Sequence, residues 1–334
     1  MQQYLLAALK VSSHHEVIDV ISNGQVAIDQ AIALKPDIIL LDLFLLEVDG
    51  IDVIRHVMHH APCPIVVISG ELDRADRDLT FEAQRAGAVS VLAKPFGMEA
   101  SEFDAFSENL SHIVDLMSQV KVTRRWLRYD TAIAEPPVQV AQSFLKLDFD
   151  LLVIGSSAGG PAALYKILEA IGPNFPFPIL ISQHIAEGFS DTLCDWLGKT
   201  GCHVKSPENG ELMQAGTVYV SPDSKHMVLG QDNRLEIITD TKVLFTPNID
   251  LLFESVALNY HKKVCALILT GMGSDGTSGM SKLYKHGALT IAEAESSCVI
   301  FGMPKMAINA GVVRMILSLD EIASAMKNSF ARAN

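Results

Sequence analysis

The chain has 334 residues, 49% of them hydrophobic, and 39 Asp and Glu against 26 Lys and Arg, a formal charge of −13. That is material for two buried cores, and the acidic balance excludes a general nucleic-acid binder, whose phosphate contacts need clustered basic side chains. No apolar run reaches the roughly 18 residues that span a bilayer, and MQQYLLAALK reads as no export signal. Five scattered cysteines without a Cys-x-x-Cys pair fit a reducing cytoplasm rather than a disulfide framework or a zinc site.

Residues 1–100 alternate helical and strand patterns. A helical start leads to Glu16–Ile21, which reads as a strand, and then Gly24–Leu34 repeats apolar residues at helical spacing. DIILLDLF after Pro36 predicts a strand buried on both faces of a parallel sheet. A Gly50–His60 helix, the strand PIVVIS, a helix ending near Gly87 and the strand VSVLAKP complete the βα repetition. The doublets His14-His15 and His59-His60 are poor chelators, because adjacent residues on a helix point apart. Residues 101–148 read as a helix running through KVTRRW into the linker TAIAEPPVQVAQS. A second α/β unit, 149–334, opens with DLLVIGSSAGGPAALYKIL as strand, Gly/Ser turn and helix. PFPILISQH, TVYVSP, KHMVLG and VCALILTGMGSDG supply further strands. The expected fold class is α/β, two doubly wound open sheets.

In such sheets ligands bind at the carboxyl edge of the strands. There LLVIG ends at Ser156-Ser157, PILISQ at His184, and ALILTGMG leads to Asp275. A serine hydroxyl is a weak nucleophile until an imidazole takes its proton and an acid orients that imidazole. These three residues at one edge therefore point to acyl transfer needing no cofactor. Singly, each has a plainer reading: Ser157 as a helix cap, His184 as a loop residue, Asp275 as a turn residue. The helix starting near Gly160-Pro161 would turn its N–H groups toward developing negative charge, and each well-placed oxyanion donor contributes about 3–4 kcal/mol. The glycines do not fit G-x-G-x-x-G, no G-K-[ST] is present, and the second strand ends at Gln183-His184 rather than at an acid, so a nucleotide site is weakly supported.

IGSSAGGP, ISQHIAEGF, SPDSKHM, ILTGMGSDGTSGM and AESSCVIFGMP, in this order over essentially all of 150–330, resemble the chemotaxis receptor methylesterases. The resemblance implies Ser157 as nucleophile, His184 as base and Asp275 as the third member. It also implies a substrate cleft shaped by Met272 and by Ala158, Gly159 and Gly160. The implied activity is removal of methyl groups from receptor glutamate esters, with deamidation of receptor glutamines. Ala158 stands where the family often has Thr, and Phe245-Thr246-Pro247-Asn248-Ile249-Asp250 where it usually reads H-R-P-S-V-D. Residues 1–100 resemble a receiver domain of two-component signalling, which implies Asp42 as phosphoacceptor, Ser69 as switch hydroxyl and Lys94 as the phosphate-contacting lysine. A receiver's first strand and its acidic pair for Mg²⁺ are not found before Gln2, and Phe44 and Leu46 replace an acid and a proline. Impaired phosphorylation of Asp42 is therefore expected. The implied partners are methyl-accepting chemotaxis receptors and a chemotaxis histidine kinase, with no nucleic acid and no membrane insertion. Two other readings are a non-catalytic regulator that docks on receptor or kinase, and a hydrolase of another ester. A monomer is the default.

Overall fold

The computed structural model describes residues 2–10, 15–45, 47–69, 74–94, 100–118, 122, 147–239 and 246–330. The chain divides into two units, Met1–Arg128 and Tyr129–Asn334. His14, Leu46, Pro95, Phe245, the KVTRRW segment apart from Val122, and the expected linker TAIAEPPVQVAQS lie outside the described residues. No described helix is long and apolar enough to cross a membrane.

The first unit runs α1 (Gln2–Leu9), α2 (Gly24–Leu34), β1 (Ile39–Leu41), α3 (Gly50–His60), β2 (Ile65–Ser69), α4 (Arg74–Ala86), β3 (Ser90–Ala93) and α5 (Ala100–Ser118). Its strands pair in parallel in the order β1-β2-β3. Helices start where the sequence offers a side-chain acceptor. Asn23 takes the N–H groups of Gln25 and Val26, and Asp49 takes that of Ile51. Ile54 and Val57 of α3 then meet Ile28, Leu41, Ile65 and Val67 in one core.

Two expectations fail here. Glu16–Ile21 forms no strand: the segment is irregular, with Val17 42%, Ile18 52% and Val20 45% exposed. An isolated strand leaves its N–H and C=O groups unpaired, and β1, the nearest candidate partner, bonds only to β2 among the described strands. The strand expected over DIILLDLF also stops at Leu41. There the Asp42 carboxylate accepts the Phe44 N–H at 3.2 Å and the Leu43 carbonyl accepts the Gly50 N–H, so the backbone turns away from the sheet.

The second unit runs β4 (Leu151–Ser156), α6 (Gly160–Ile171), β5 (Ile179–Gln183), α7 (Ser190–Gly198), β6 (His203–Lys205), β7 (Glu211–Leu212), β8 (Thr217–Val220), β9 (His226–Leu229) and β10 (Arg234–Ile238). It continues with α8 (Ile249–Asn259), β11 (Val264–Ile268), α9 (Thr277–Lys285), β12 (Leu289–Glu293), α10 (Met303–Asn309), β13 (Met315–Leu317) and α11 (Leu319–Phe330). Seven strands form one parallel sheet in the order β13-β12-β11-β4-β5-β8-β6, and β7, β10 and β9 form a small antiparallel sheet beside it. The middle strands β4, β5 and β11 are buried along their whole length. This is why they read as unbroken apolar runs: helices cover both faces, so no alternation is needed. On one face Leu151, Val153, Leu180, Ala266 and Ile268 meet Ile249, Phe253 and Met280 of α8 and α9. α6 and α11 pack on each other elsewhere in the unit.

Candidate active site

Beside β4 the strand order reverses. The chain proceeds from β4 to β5 on one side and returns to β11 on the other, so the carboxyl ends of these three strands open onto one crevice. Ser157 directly follows β4, His184 directly follows β5, and Asp275 lies in the loop between β11 and α9. A depression of about 660 Å³ lined by Asp150, Tyr260, His261, Lys263 and His286 lies at the amino ends of the strands, away from this crevice.

The fold brings the three residues into one hydrogen-bonded chain. Ser157 Oγ is 3.2 Å from His184 Nδ1, and His184 Nε2 is 2.7 Å from Asp275 Oδ2. The ring is turned relative to the usual Ser–His–Asp template, in which Nε2 faces the serine and Nδ1 the acid. A neutral base in this orientation carries its proton on Nε2, donates it to Asp275, and presents the Nδ1 lone pair to Ser157.

Asp275 is held by more than the imidazole. Its Oδ2 also accepts the Ile249 N–H at 2.8 Å, and its Oδ1 accepts the N–H groups of Asp250 at 3.0 Å and Gly276 at 2.9 Å. Burial pushes this carboxyl upward, but the bonds from His184, Ile249 and Asp250 together outweigh burial and hold it below the usual carboxylate range. The side chain, 3% exposed, is therefore ionised beside the imidazole. Asp250, whose own N–H is one of these donors, behaves oppositely: burial, followed by the nearby charges of Asp275 and Glu254, raises it to about 6 despite a 2.7 Å bond from the Gly279 N–H.

The turn after β4 is held by internal hydrogen bonds. The N–H of Ser157 donates to the Thr270 carbonyl at 3.0 Å, and that of Gly160, at the start of α6, donates to the Ser157 carbonyl at 2.8 Å. Both of these donors are engaged inside the protein. Ser157 gives no capping bond: the N-cap of α6 is Gly159, at φ +77°, where any Cβ would meet Val299 Cβ at 2.6 Å. Ala158 is held by Thr270, whose Oγ1 donates to its carbonyl at 2.9 Å and accepts the Ile300 N–H at 2.9 Å. Met272 sits in the loop beside Ser157, since a Cβ on neighbouring Gly271 would lie 2.6 Å from Ser157 Cβ.

Several supporting residues were not singled out from the sequence. Gln183 bonds to Ser156, Ser157 and His184. Asp223, in SPDSKHM, accepts from the Gly188 N–H and the Ser190 hydroxyl and so ties down the loop that follows His184. Asn248, at the departure from H-R-P-S-V-D, caps α8 by accepting the Leu251 N–H at 2.8 Å. The Asn248 cap was within reach of sequence reasoning, because an Asn just before an apolar helical stretch is a start signal. The bonds of Gln183 to Ser156 and Ser157 and those of Asp223 join segments far apart in the chain and carry no local signature.

In the first unit, Asp42 follows β1, Ser69 ends β2 and Lys94 follows β3, all at the carboxyl ends of three adjacent parallel strands. Lys94 Nζ is 2.6 Å from Asp42 Oδ2, and Ser69 is buried. Among the described residues no group of three or more His, Cys, Asp or Glu side chains is placed to hold a metal ion. Mg²⁺ prefers a cage of oxygens. Asp42, paired with Lys94, supplies one carboxylate toward such a cage.

Comparison with known proteins accords with this geometry. Residues 152–326 match the CheB methylesterase family, and residues 1–102 match the response regulator receiver domain. The chain is 36% identical over 310 residues to protein-glutamate methylesterase/protein-glutamine glutaminase 4 of Myxococcus xanthus, covering 92% of this chain and 88% of that one. It is 35% identical over 336 residues to the protein-glutamate methylesterase/protein-glutamine glutaminase of Nitrosospira multiformis, covering 99% and 94%. The crystal structure of the Thermotoga maritima CheB methylesterase catalytic domain superposes with a TM-score of 0.51 at 36% identity, covering 54% of this chain and 98% of that one. With its catalytic and receiver regions both matched, and this identity running through nearly its whole length, the chain belongs to the CheB methylesterase family.

Proposed function

We propose that this chain is a protein-glutamate methylesterase and protein-glutamine deamidase acting on methyl-accepting chemotaxis receptors through Ser157, His184 and Asp275. The observation that carries the reading is the unbroken chain of hydrogen bonds from Ser157 through His184 to Asp275 at the switch-point crevice. Ser157 Oγ attacks the carbonyl carbon of a glutamate methyl ester while its proton passes to His184 Nδ1. The tetrahedral adduct collapses, the methoxy oxygen takes that proton and leaves as methanol, and an acyl-serine remains. Water then attacks the acyl carbon with Nδ1 again as base, and glutamate and free Ser157 are released. A glutamine side chain follows the same course with ammonia as leaving group. Throughout, Asp275 holds the Nε2 proton and offsets the imidazolium charge.

The receptor partner follows from the family, and a chemotaxis histidine kinase from its receiver domain. Five cysteines without a disulfide, all buried, accord with a reducing cytoplasm. Asp42 is the candidate phosphoacceptor, with Lys94 against it and Ser69 as switch hydroxyl. That no group of three or more metal-ligating side chains is found among the described residues supports the reading that its phosphorylation by small donors is impaired.

The test is methanol release from methylated chemoreceptor membranes by the intact chain and by Ser157→Ala. Release by the parent that vanishes in the variant supports the reading. Equal release from both removes Ser157 from the mechanism.

A further inference from the structure

Gln183 ends β5, immediately before the base, and is only 2% exposed, so it cannot be a substrate contact of any size. Its side-chain amide is fully engaged by the catalytic segments. Nε2 donates to the Ser157 carbonyl at 2.9 Å and to the His184 carbonyl at 2.8 Å, and Oε1 accepts the Ser156 hydroxyl at 2.6 Å. The Ser157 carbonyl receives the Gly160 N–H as well, so the amide also fixes the first turn of α6. α6 lies directly on the amide: a Cβ at Gly160 would be 2.0 Å from Oε1.

We infer that Gln183 is a positioning residue for the esterase, a buried amide brace that joins the backbone of the nucleophile to the backbone of the base. The inference rests on the Ser157–His184–Asp275 reading. β4 and β5 are hydrogen-bonded neighbours up to the pair Ser156 and Gln183, and beyond that pair the two chains diverge into separate loops. The distance from Ser157 Oγ to His184 Nδ1 is set in those loops, after most of the ladder has ended; one last backbone bond, from the His184 N–H to the Ser156 carbonyl, remains. The amide extends the connection by one residue on each strand. The position demands two donors and one acceptor in a planar fork, which only a primary amide offers at this length. A glutamate would set carboxylate lone pairs against two carbonyl oxygens. A methionine would fill the space and donate nothing.

A 1 Å displacement of a reacting group can cost about a hundredfold in rate, so Gln183→Met in the full chain is expected to lower kcat by about ten- to a hundredfold with KM for methylated receptor unchanged. A residue with only a structural role would shift Tm and leave kcat of the folded fraction alone. Ser156→Ala, which removes one bond to the amide and retains both donors, gives a milder version with the same split and serves if Gln183→Met does not fold. Ser157→Ala is assayed alongside. If that control is inactive and both other variants keep the parent kcat when folded, the brace is overturned while the triad reading stands. If the control retains parent activity, the triad reading falls and the brace with it.

Discussion

Asp250→Asn is expected to stabilise the protein above neutrality and to leave it nearly unchanged below about pH 4. In the folded chain the Asp250 carboxyl is raised from 3.8 to about 6 by burial and by the charges of Asp275 and Glu254, the latter paired at 2.7 Å with Lys282; the Gly279 and Gly276 N–H groups oppose this only partly. A carboxyl whose folded pKa lies above its unfolded value favours folding only while protonated, so the folded state binds the extra proton and stability falls as pH rises from about 4 to about 6. Two units at roughly 1.4 kcal/mol each set an upper bound of about 3 kcal/mol at pH 8, and solvent screening of this half-buried group brings it to about 2 kcal/mol. Asparagine keeps an oxygen for the Gly279 N–H and cannot ionise, but it forfeits the attraction of a carboxylate to the start of α8, worth up to about 1 kcal/mol. A net gain of about 1 kcal/mol at about pH 8 follows, shrinking to near zero only below about pH 4, where the unfolded carboxyl is protonated as well. Urea unfolding measures this in a Trp126→Phe background, where fully buried Trp196 is the one remaining tryptophan and reports its own unit. A difference between variant and parent that does not change between the two pH values, or a loss of stability at the higher one, refutes the reasoning.

Asp275→Asn removes the negative charge that fixes the Nε2–H tautomer, and by analogy with other Ser–His–Asp triads methanol release should fall by about 10⁴-fold. The Asp275 carboxyl is held low in the folded state, so it contributes stability above the ordinary carboxylate pKa that is lost as pH falls through its folded value; the same substitution should therefore also destabilise the chain at neutral pH. Retained activity would mean that His184 is oriented by something other than this contact. In the first unit, incubation with a small phosphodonor and Mg²⁺ should leave Asp42 largely unlabelled by intact-mass measurement, and robust labelling would overturn the reading that its phosphorylation is impaired.

What could be read in advance follows from how local each cause is. The apolar runs of β4, β5 and β11 are legible because a strand covered on both faces needs no polar alternation. Gly50–His60 is legible to the residue, since Asp49 caps its start and Ala61 precedes a proline-containing turn. Glu16–Ile21 misleads because strand-favouring residues say nothing of whether a neighbour is there to pair with them. Ser157, His184 and Asp275 are found because each follows an apolar strand closely. The turned imidazole is not, because it depends on the relative heights of three loops. Gln183 escapes for a related reason: a polar residue closing an apolar strand looks like the strand's exit to solvent, and only the fold reveals that it is buried.

The two aspartates of this site show how neighbouring carboxyls acquire opposite properties. The start of α8 and the turn entering α9 converge on Asp275, which accepts the N–H groups of Ile249, Asp250 and Gly276 as well as His184 Nε2. Four donors and two helix amino termini compensate a buried charge, and the carboxyl stays ionised. Asp250 presents its carboxyl to the same region after that positive potential has been met by Asp275, so a second charge finds burial and repulsion. The order of occupation thus assigns the roles. The carboxylate nearest the imidazole is held ionised, and the one behind it adds or sheds its charge near pH 6. Pairs of titratable groups pushed apart in this way are how a site divides its acid and base work. Here the division keeps Asp275 charged beside His184 and leaves Asp250 to gain or lose its charge near pH 6.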